Sequence, residues 1–215
     1  SRRRTDMCST LFFDLDGTLI DSAPGITRCV AYALERIGEA VPDDTALRRW
    51  IGPPLRDSFA PLLQDPIRVE QAVEFYRERF EDIGYAEHAL YDGIADTILA
   101  LSDRGHRIAI VTAKNEPHAR KIVGGFDFAA RFDTIVGATL DGRISHKPEL
   151  IGEALSRLAL HAHECTMIGD RRMDIDGARH HGMRSIGVLW GFGDADELAL
   201  ADLQVGTPGE LLGAV

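Results

Sequence analysis

The chain has 215 residues, of which 45% are hydrophobic and 27% charged, a composition typical of a globular protein rather than a disordered one. Its net charge of −10 argues against nucleic-acid binding as a main role, and its apolar runs are shorter than the roughly 20 residues of a membrane span. Three cysteines without metal-like spacing favour reduced thiols, and residues 1–10 lack the apolar core of a secretory signal. We therefore expect a cytoplasmic protein that begins with a solvated, arginine-containing tail.

The first predicted element is a short buried strand, "TLFFDL", at residues 10–15. Residues 20–87 then show helical periodicity without a strong strand signal, and glycine and proline residues punctuate the pattern. We expect an all-helical segment there, named the helical insert (residues 20–87). Asp21 marks the entry into it.

Strand and helix patterns alternate after the insert. Strands are predicted at 106–112, 132–138, 165–170 and 184–193, and helices at 93–105, 115–126, 146–160, 173–182, 194–201 and 207–215. Strands separated by helices of this length indicate a doubly wound parallel sheet. The predicted fold class is therefore α/β, with a Rossmann-like core domain (residues 1–19 and 88–215) that the insert interrupts after the first strand.

Ligands of open parallel sheets bind at the carboxyl ends of the strands, and several chemically active side chains follow predicted strands here. They are Asp14, Asp16, Thr112, Asp170 and Asp174, with Lys147 at the start of a helix. Each residue alone has an ordinary structural explanation, such as a turn or a solvated lysine. Their joint occurrence at strand ends predicts one site.

The chemistry of this set follows from its charges. Asp14 and Asp16 are two residues apart in an extended segment and therefore point to the same side. Two carboxylates at ~4 Å repel by about 4 kcal/mol at an effective dielectric constant near 20. A hard divalent cation relieves this repulsion, and Mg²⁺ with a few carboxylates, waters and a substrate phosphate fits best. Lys147 and Thr112 are donors for a phosphoryl group.

These motifs resemble those of the haloacid dehalogenase superfamily, specifically its Mg²⁺-dependent phosphatases. "DLDGTL", "VTAK", the lysine of "SHKPEL" and "IGDRRMDIDGA" are similar to its four motifs, and the helical insert is similar to its helical cap. "IDSAPGI", "IGPPLRDSF" and "GVLWGFG" further resemble the phosphoglycolate-phosphatase-like and nucleotide-phosphatase-like branch. The resemblance implies a phosphatase of small phosphorylated metabolites. We expect either a monomer or a homodimer, and the sequence leaves open which of the two forms.

The resemblance also implies roles for the acidic residues. Asp14 is expected to be the nucleophile that forms an aspartyl-phosphate, and Asp16 the general acid and base. Mg²⁺ is expected to be held by Asp14, the backbone carbonyl of Asp16 and Asp170, with Asp174 acting indirectly.

The remaining implied roles concern the substrate. Thr112 and the backbone of Ala113 are expected to hold the phosphoryl oxygens, and Lys147 to neutralise charge and orient the nucleophile. Candidates for substrate contact in or beside the insert are Arg49, Arg56 and His88.

Two other functions stay open at this stage. A sugar phosphomutase would use the same core residues, because the insert decides between the two activities. A phospho-receiver domain also places acids, a threonine and a lysine around Mg²⁺, but it would be shorter and would lack the insert. The substrate itself stays open among phosphoglycolate, a nucleoside monophosphate, pyrophosphate and a sugar phosphate.

Overall fold

The computed structural model describes residues 9–215; Cys8 and the predicted arginine-containing tail lie outside the described residues. Its strands are β1 (Thr10–Phe13), β2 (Ile20–Asp21), β3 (Ala89–Leu90), β4 (Arg107–Asn115), β5 (Phe132–Ala138), β6 (Cys165–Gly169), β7 (Arg184–Val188) and β8 (Leu203–Val205). Its helices are α1 (Ala23–Arg36), α2 (Asp44–Arg48), α3 (Leu55–Leu63), α4 (Pro66–Asp82), α5 (Ile94–Asp103), α6 (Glu116–Val123), α7 (Lys147–Leu158), α8 (Arg172–His180) and α9 (Leu211–Ala214).

Six strands form a parallel sheet in the order β5-β4-β1-β6-β7-β8, which confirms the predicted fold class. The central strand β1 is buried on both faces. Leu11 and Phe13 pack into one apolar cluster and Phe12 into the other, because alternate residues of a strand point to opposite faces. Helices therefore cover both sides of the sheet, as parallel sheets require.

The helical insert contains α1 to α4 and a single 3-10 turn at Gly84–Ala86, but it begins with a strand. Ile20 and Asp21 pair antiparallel with Leu90 and Ala89 in a two-stranded ribbon that joins the insert to the core domain. The prediction of an all-helical segment is therefore wrong at Ile20 and Asp21, because a two-residue strand is too short to produce a periodic signal. The side chain of Asp21 accepts a hydrogen bond from the Ala23 N–H at 3.1 Å, at the start of α1.

The insert lies against the carboxyl edge of the sheet. One apolar cluster runs without interruption from β1 into the insert, where it includes Phe59 and Phe80. Polar contacts also cross this boundary: Asp57 Oδ2 lies 2.8 Å from His146 Nε2, and Arg171 donates to the backbone carbonyl of Ile51.

The carboxyl-terminal region differs from its prediction. Residues 194–201 form turns rather than a helix, and the unpredicted strand β8 follows them and pairs with β7. The carboxylate of Asp194 accepts the Glu197 N–H at 2.8 Å, which closes a local turn. The short α9 confirms a helix within residues 207–215. Among residues 9–215, none of the helices combines the length and the apolar character needed to cross a bilayer.

Candidate active site

Lys147 joins two buried aspartates at the carboxyl edge of the sheet. Its Nζ lies 3.0 Å from Asp14 Oδ1 and 2.7 Å from Asp174 Oδ1, and it donates to the Val111 carbonyl at 2.8 Å. Burial alone would lower the pKa of Lys147, but attraction to the two carboxylates outweighs it and raises this pKa above its usual value. Lys147 is therefore a positively charged link between the end of β1, β4 and α8.

Lys147 occupies this position because of how α7 begins. Pro148 follows it in the first turn, where the missing N–H of proline removes no helical hydrogen bond. The lysine is thus the first residue of the helix and is only 2% exposed.

Three carboxylates form the acidic cluster of Asp14, Asp170 and Asp174. One oxygen of each lies within 4.8 Å of the others, and all three residues are buried. Burial, opposed by Lys147, raises the pKa of Asp14 to about 7, and repulsion from Asp174 and Asp16 adds to the increase. Burial, followed by the charges of Asp14 and Asp174, also raises the pKa of Asp170 well above its ordinary value.

The acidic cluster fits a metal ion by its donor atoms. Carboxylate oxygens are the ligands that Mg²⁺ prefers, and a divalent charge offsets both the burial and the repulsion that raise the pKa values of Asp14 and Asp170. Asp170 is held in place by hydrogen bonds from Thr18 Oγ1 at 3.1 Å and from the Phe192 N–H at 2.8 Å. Asp174 Oδ2 accepts the Arg171 N–H at 3.0 Å, which leaves its Oδ1 facing Lys147.

The turn after β1 needs a glycine at position 17. Gly17 adopts φ +82°, a conformation that side-chain-bearing residues rarely take, and a Cβ there would collide with the carboxylate of Asp170. The indole N–H of Trp190 donates to the Thr18 carbonyl at 3.0 Å and fixes the same turn from the loop after β7.

Asp16 faces a lysine that sequence analysis passed over. Lys114 Nζ lies 3.3 Å from Asp16 Oδ2, while Asp16 Oδ1 is buried and has no hydrogen-bond partner among residues 9–215. Lys114 also lies over the ring of Phe80 in α4, with its Nζ 4.6 Å from the ring centroid. Lys114 is the last residue of the motif "VTAK", and its place in this motif was the only feature of the sequence that pointed to it.

Thr112 and Ala113 lie on β4 beside these acids. Thr112 is 1% exposed, and its hydroxyl accepts the Lys114 N–H at 3.2 Å. Ala113 lines a cavity between the insert and the core domain, which we call the insert cavity. Its walls include Asp16, Lys114, Asn115 and Ser145 from the core domain and Trp50, Arg56, Tyr76 and Arg77 from the insert.

The three proposed contacts in or beside the insert have different positions. Arg56 lines the insert cavity and forms two hydrogen bonds with Glu70, at 2.6 and 2.8 Å. Arg49 lies exposed after α2 and is not part of the cavity lining. His88 also lies outside this lining, with its Nδ1 2.8 Å from the Tyr85 carbonyl oxygen. Arg77, which sequence analysis did not single out, lines the cavity instead.

Comparison with known proteins places this chain in a family. Residues 11–188 match the family model of haloacid dehalogenase-like hydrolases. A 5'-nucleotidase of Pseudomonas aeruginosa is 45% identical over 189 residues, which cover 87% of this chain and 86% of that protein. The tyrosine-protein kinase PtkA of Mycobacterium tuberculosis is 37% identical over 186 residues, which cover 86% of this chain and 64% of PtkA. Phosphoglycolate phosphatases match at 28–30% identity.

A solved structure agrees with these relatives. The crystal structure of a predicted phosphatase from Clostridium acetobutylicum superposes with a TM-score of 0.93 at 37% identity, covering 97% of this chain and 98% of that one. The expected resemblance to the phosphoglycolate- and nucleotide-phosphatase-like branch is confirmed. The chain belongs to the haloacid dehalogenase-like hydrolase family and is one of its phosphatases.

Proposed function

We propose that the protein hydrolyses small phosphomonoesters with Mg²⁺ through an aspartyl-phosphate formed on Asp14. The observation that carries this proposal is the arrangement around Asp14: Lys147 lies 3.0 Å from one carboxylate oxygen, and the acidic cluster gathers around the same residue. Asp16, two residues along, lines the insert cavity, where a leaving group can be accommodated.

Asp14 acts as the nucleophile. Its ionised carboxylate attacks phosphorus, a bond forms between the carboxylate oxygen and phosphorus, and the ester oxygen departs with its electron pair. Lys147 orients this carboxylate and contributes positive charge beside it. Asp14, Asp170 and the Asp16 backbone carbonyl would hold Mg²⁺, with Asp174 in support, and the bound ion would supply positive charge that lets the cluster ionise and that offsets the charge of the phosphoryl oxygens.

Asp16 moves the proton. Its Oδ1, which has no hydrogen-bond partner in the described chain, gives a proton to the departing ester oxygen. In the second step the same carboxylate takes a proton from water as the water oxygen bonds to phosphorus and the bond to Asp14 breaks. The products are inorganic phosphate and free Asp14.

Thr112, the backbone of Ala113 and Lys147 hold the phosphoryl oxygens in this proposal. Thr112 and Ala113 lie in one strand, and the Lys147 ammonium lies 2.8 Å from the carbonyl oxygen of the adjacent Val111. Donors fixed by a strand and a helix start need little rearrangement when the transferring group gains charge.

The helical insert (residues 20–87) serves as a domain that covers the site and excludes water, and residues 1–19 and 88–215 form the catalytic domain. Aromatic residues on the insert side of the cavity, Trp50 and Tyr76, support this division, because they exclude solvent from the leaving group. The buried, unpaired thiols of Cys29 and Cys165 support a reducing, cytoplasmic location. We further propose a monomer or homodimer that requires neither nucleic acid nor a membrane as a partner.

The proposal is tested by phosphate release from a panel of small phosphate esters, with and without Mg²⁺, for the wild type and Asp14→Asn. Mg²⁺-dependent release by the wild type alone is the expected result. Equal release by Asp14→Asn, or release that persists in a strong chelator, contradicts the mechanism. Isomerisation of a sugar phosphate without free phosphate would indicate a phosphomutase, and formation of phosphotyrosine would favour the activity for which PtkA is named.

A further inference from the structure

The positively charged side chains that line the insert cavity differ in whether they have an acidic partner. Arg56 and Lys114 each have an acidic side chain beside them: Arg56 pairs with Glu70 at 2.6 Å, and Lys114 Nζ lies 3.3 Å from Asp16 Oδ2. His118, also in the lining, contributes no charge near neutral pH, because burial and then the charge of Lys114 lower its pKa to about 4. The remaining cationic side chain of the lining is Arg77.

Arg77 lacks such a partner. Within residues 9–215 its guanidinium forms no ion pair within 4.0 Å, and its Nε is buried without a hydrogen-bond partner. Its Nη2 donates to the backbone carbonyl of Leu140 at 2.7 Å, which uses one of the five N–H donors of the guanidinium. A half-buried cation with unused donors is costly, so the position favours an anion.

The other residues of the cavity lining indicate which part of a substrate would carry this anion. Asp16, the proposed proton donor for the leaving group, lines the same cavity from the core side, while Arg77 lines it from α4 of the insert. A leaving group that departs beside Asp16 therefore extends toward the insert. Trp50 and Tyr76 lie in the same lining, and the lower local dielectric strengthens any charge contact made there.

We propose that Arg77 binds a second anionic group on the leaving group, so that the preferred substrate is a compact phosphomonoester carrying a carboxylate or a second phosphate. This inference rests on the proposed function and narrows its substrate class. The planar guanidinium suits either group, because both accept two parallel N–H donors. Arg77 is then a residue that determines specificity without touching the reacting atoms.

A purely structural role for Arg77 is the competing explanation. Its hydrogen bond to Leu140 ties α4 to the loop after β5, and losing that tie could loosen the insert for every substrate alike. The two explanations predict different effects on substrates with charged and with uncharged leaving groups. A structural tie affects charged and uncharged leaving groups equally, whereas anion binding affects only the charged ones.

The experiment measures kcat/KM for three esters of similar size: phosphoglycolate, which carries a carboxylate; 2-hydroxyethyl phosphate, which carries none; and the bisphosphate of ethane-1,2-diol, which carries a second phosphate. The proteins are the wild type, Arg77→Gln, Arg77→Lys and the control Arg68→Gln. Arg68 lies on the same helix and pairs with Glu39 at 2.8 Å, and it is not part of the cavity lining.

The wild type is expected to prefer at least one charged ester over 2-hydroxyethyl phosphate, and which ester it prefers identifies the second group as carboxylate or phosphate. Arg77→Gln should lower kcat/KM for that charged ester by about 10- to 100-fold, the range for one charge-assisted contact, and change the uncharged ester less than about threefold. Arg77→Lys should keep most of the preference, and Arg68→Gln all of it.

Two results overturn the inference while leaving the proposed function intact. One is hydrolysis of all three esters by the wild type without a preference for charge. The other is an equal loss on charged and uncharged esters in Arg77→Gln. A wild type that releases phosphate from none of the esters, nor from an aryl phosphate, contradicts the proposed function and the inference together.

Discussion

Replacing Asp170 by asparagine should stabilise the metal-free protein and abolish its response to Mg²⁺. The asparagine keeps the shape of the side chain, and its carbonyl can still accept the Phe192 N–H that Asp170 accepts at 2.8 Å. The substitution removes one of three buried carboxylates whose oxygens lie within 4.8 Å of one another. The Thr18 hydroxyl, which donates to Asp170 Oδ1 at 3.1 Å, would instead accept a hydrogen bond from the asparagine NH2 group. The main effect of the change is therefore electrostatic.

The magnitude follows from the spacing of the acidic cluster. At 4.8 Å and an effective dielectric constant near 20, one pair of carboxylates repels by about 3 kcal/mol. The positive charge of Lys147 and partial protonation of the acidic cluster reduce this repulsion. We therefore expect Asp170→Asn to raise the free energy of unfolding by about 2 kcal/mol at pH 8. For a chain of this length that gain raises Tm by about 4–8 °C.

The stability difference between Asp170→Asn and the wild type should change with pH in one direction. The pKa of Asp170 is raised in the folded state, so the folded protein keeps this proton while the unfolded chain loses it. The wild type therefore loses stability as pH rises from the ordinary range of a carboxyl group through the folded pKa. The advantage of Asp170→Asn should be small near pH 4 and should grow toward pH 8.

The assay is thermal unfolding in chelator and in Mg²⁺. Mg²⁺ at 100 times its Kd should stabilise the wild type by about 2.7 kcal/mol and leave Asp170→Asn nearly unchanged. Asp176→Asn is the matched control, because Asp176 lies exposed on α8 and pairs with Arg172 at 3.4 Å. A metal-free Asp170→Asn protein less stable than the wild type at pH 8, or one that Mg²⁺ stabilises equally, refutes this account of the cluster.

Three further changes test other parts of the site. Lys147→Met should cost about 3–5 kcal/mol of stability in chemical unfolding, because it leaves Asp14 and Asp174 without their buried cation, and wild-type stability would contradict the ion pairs. Lys114→Met should slow the hydrolysis of esters with poor leaving groups more than that of aryl phosphates, because Asp16 loses the contact that holds its carboxyl group in place for proton transfer. Equal slowing of both kinds of ester would show that Lys114 does not assist the proton transfer. Gly17→Ala should weaken Mg²⁺ binding in calorimetric titration, since the added methyl group collides with the Asp170 carboxylate, and an unchanged Kd would refute the need for glycine there.

Much of the core domain could be predicted because its signals are local. Each buried strand is a short apolar run, and strand–helix alternation restricts the topology to a parallel sheet. The carboxyl ends of such strands meet at one edge, so Asp14, Asp170 and Lys147 could be assigned to one site from their positions after strands and at a helix start. The distances among these side chains agree with that assignment.

The features that were missed depend on contacts between distant segments. Lys114 reaches Asp16 because β4 continues past Thr112 to Asn115, with an irregular register that apolar periodicity does not reveal. The choice between Arg49 and Arg77 as a cavity residue depends on how α2 and α4 are rotated against the core domain. The two-residue β2 and three-residue β8 exist only through pairing, since neither is long enough to show a pattern.

The central claim, an aspartyl-phosphate on Asp14, can be tested by trapping that species. In Asp16→Asn an aryl phosphate, whose leaving group needs little protonation, should still phosphorylate Asp14, while hydrolysis of the intermediate is slowed. Acid quenching followed by peptide mass spectrometry should then find a hydroxylamine-labile phosphoryl group on Asp14, absent from the Asp14→Asn/Asp16→Asn double variant. Release of the aryl alcohol without a phosphorylated Asp14, or with the phosphoryl group on another residue, would contradict the claim.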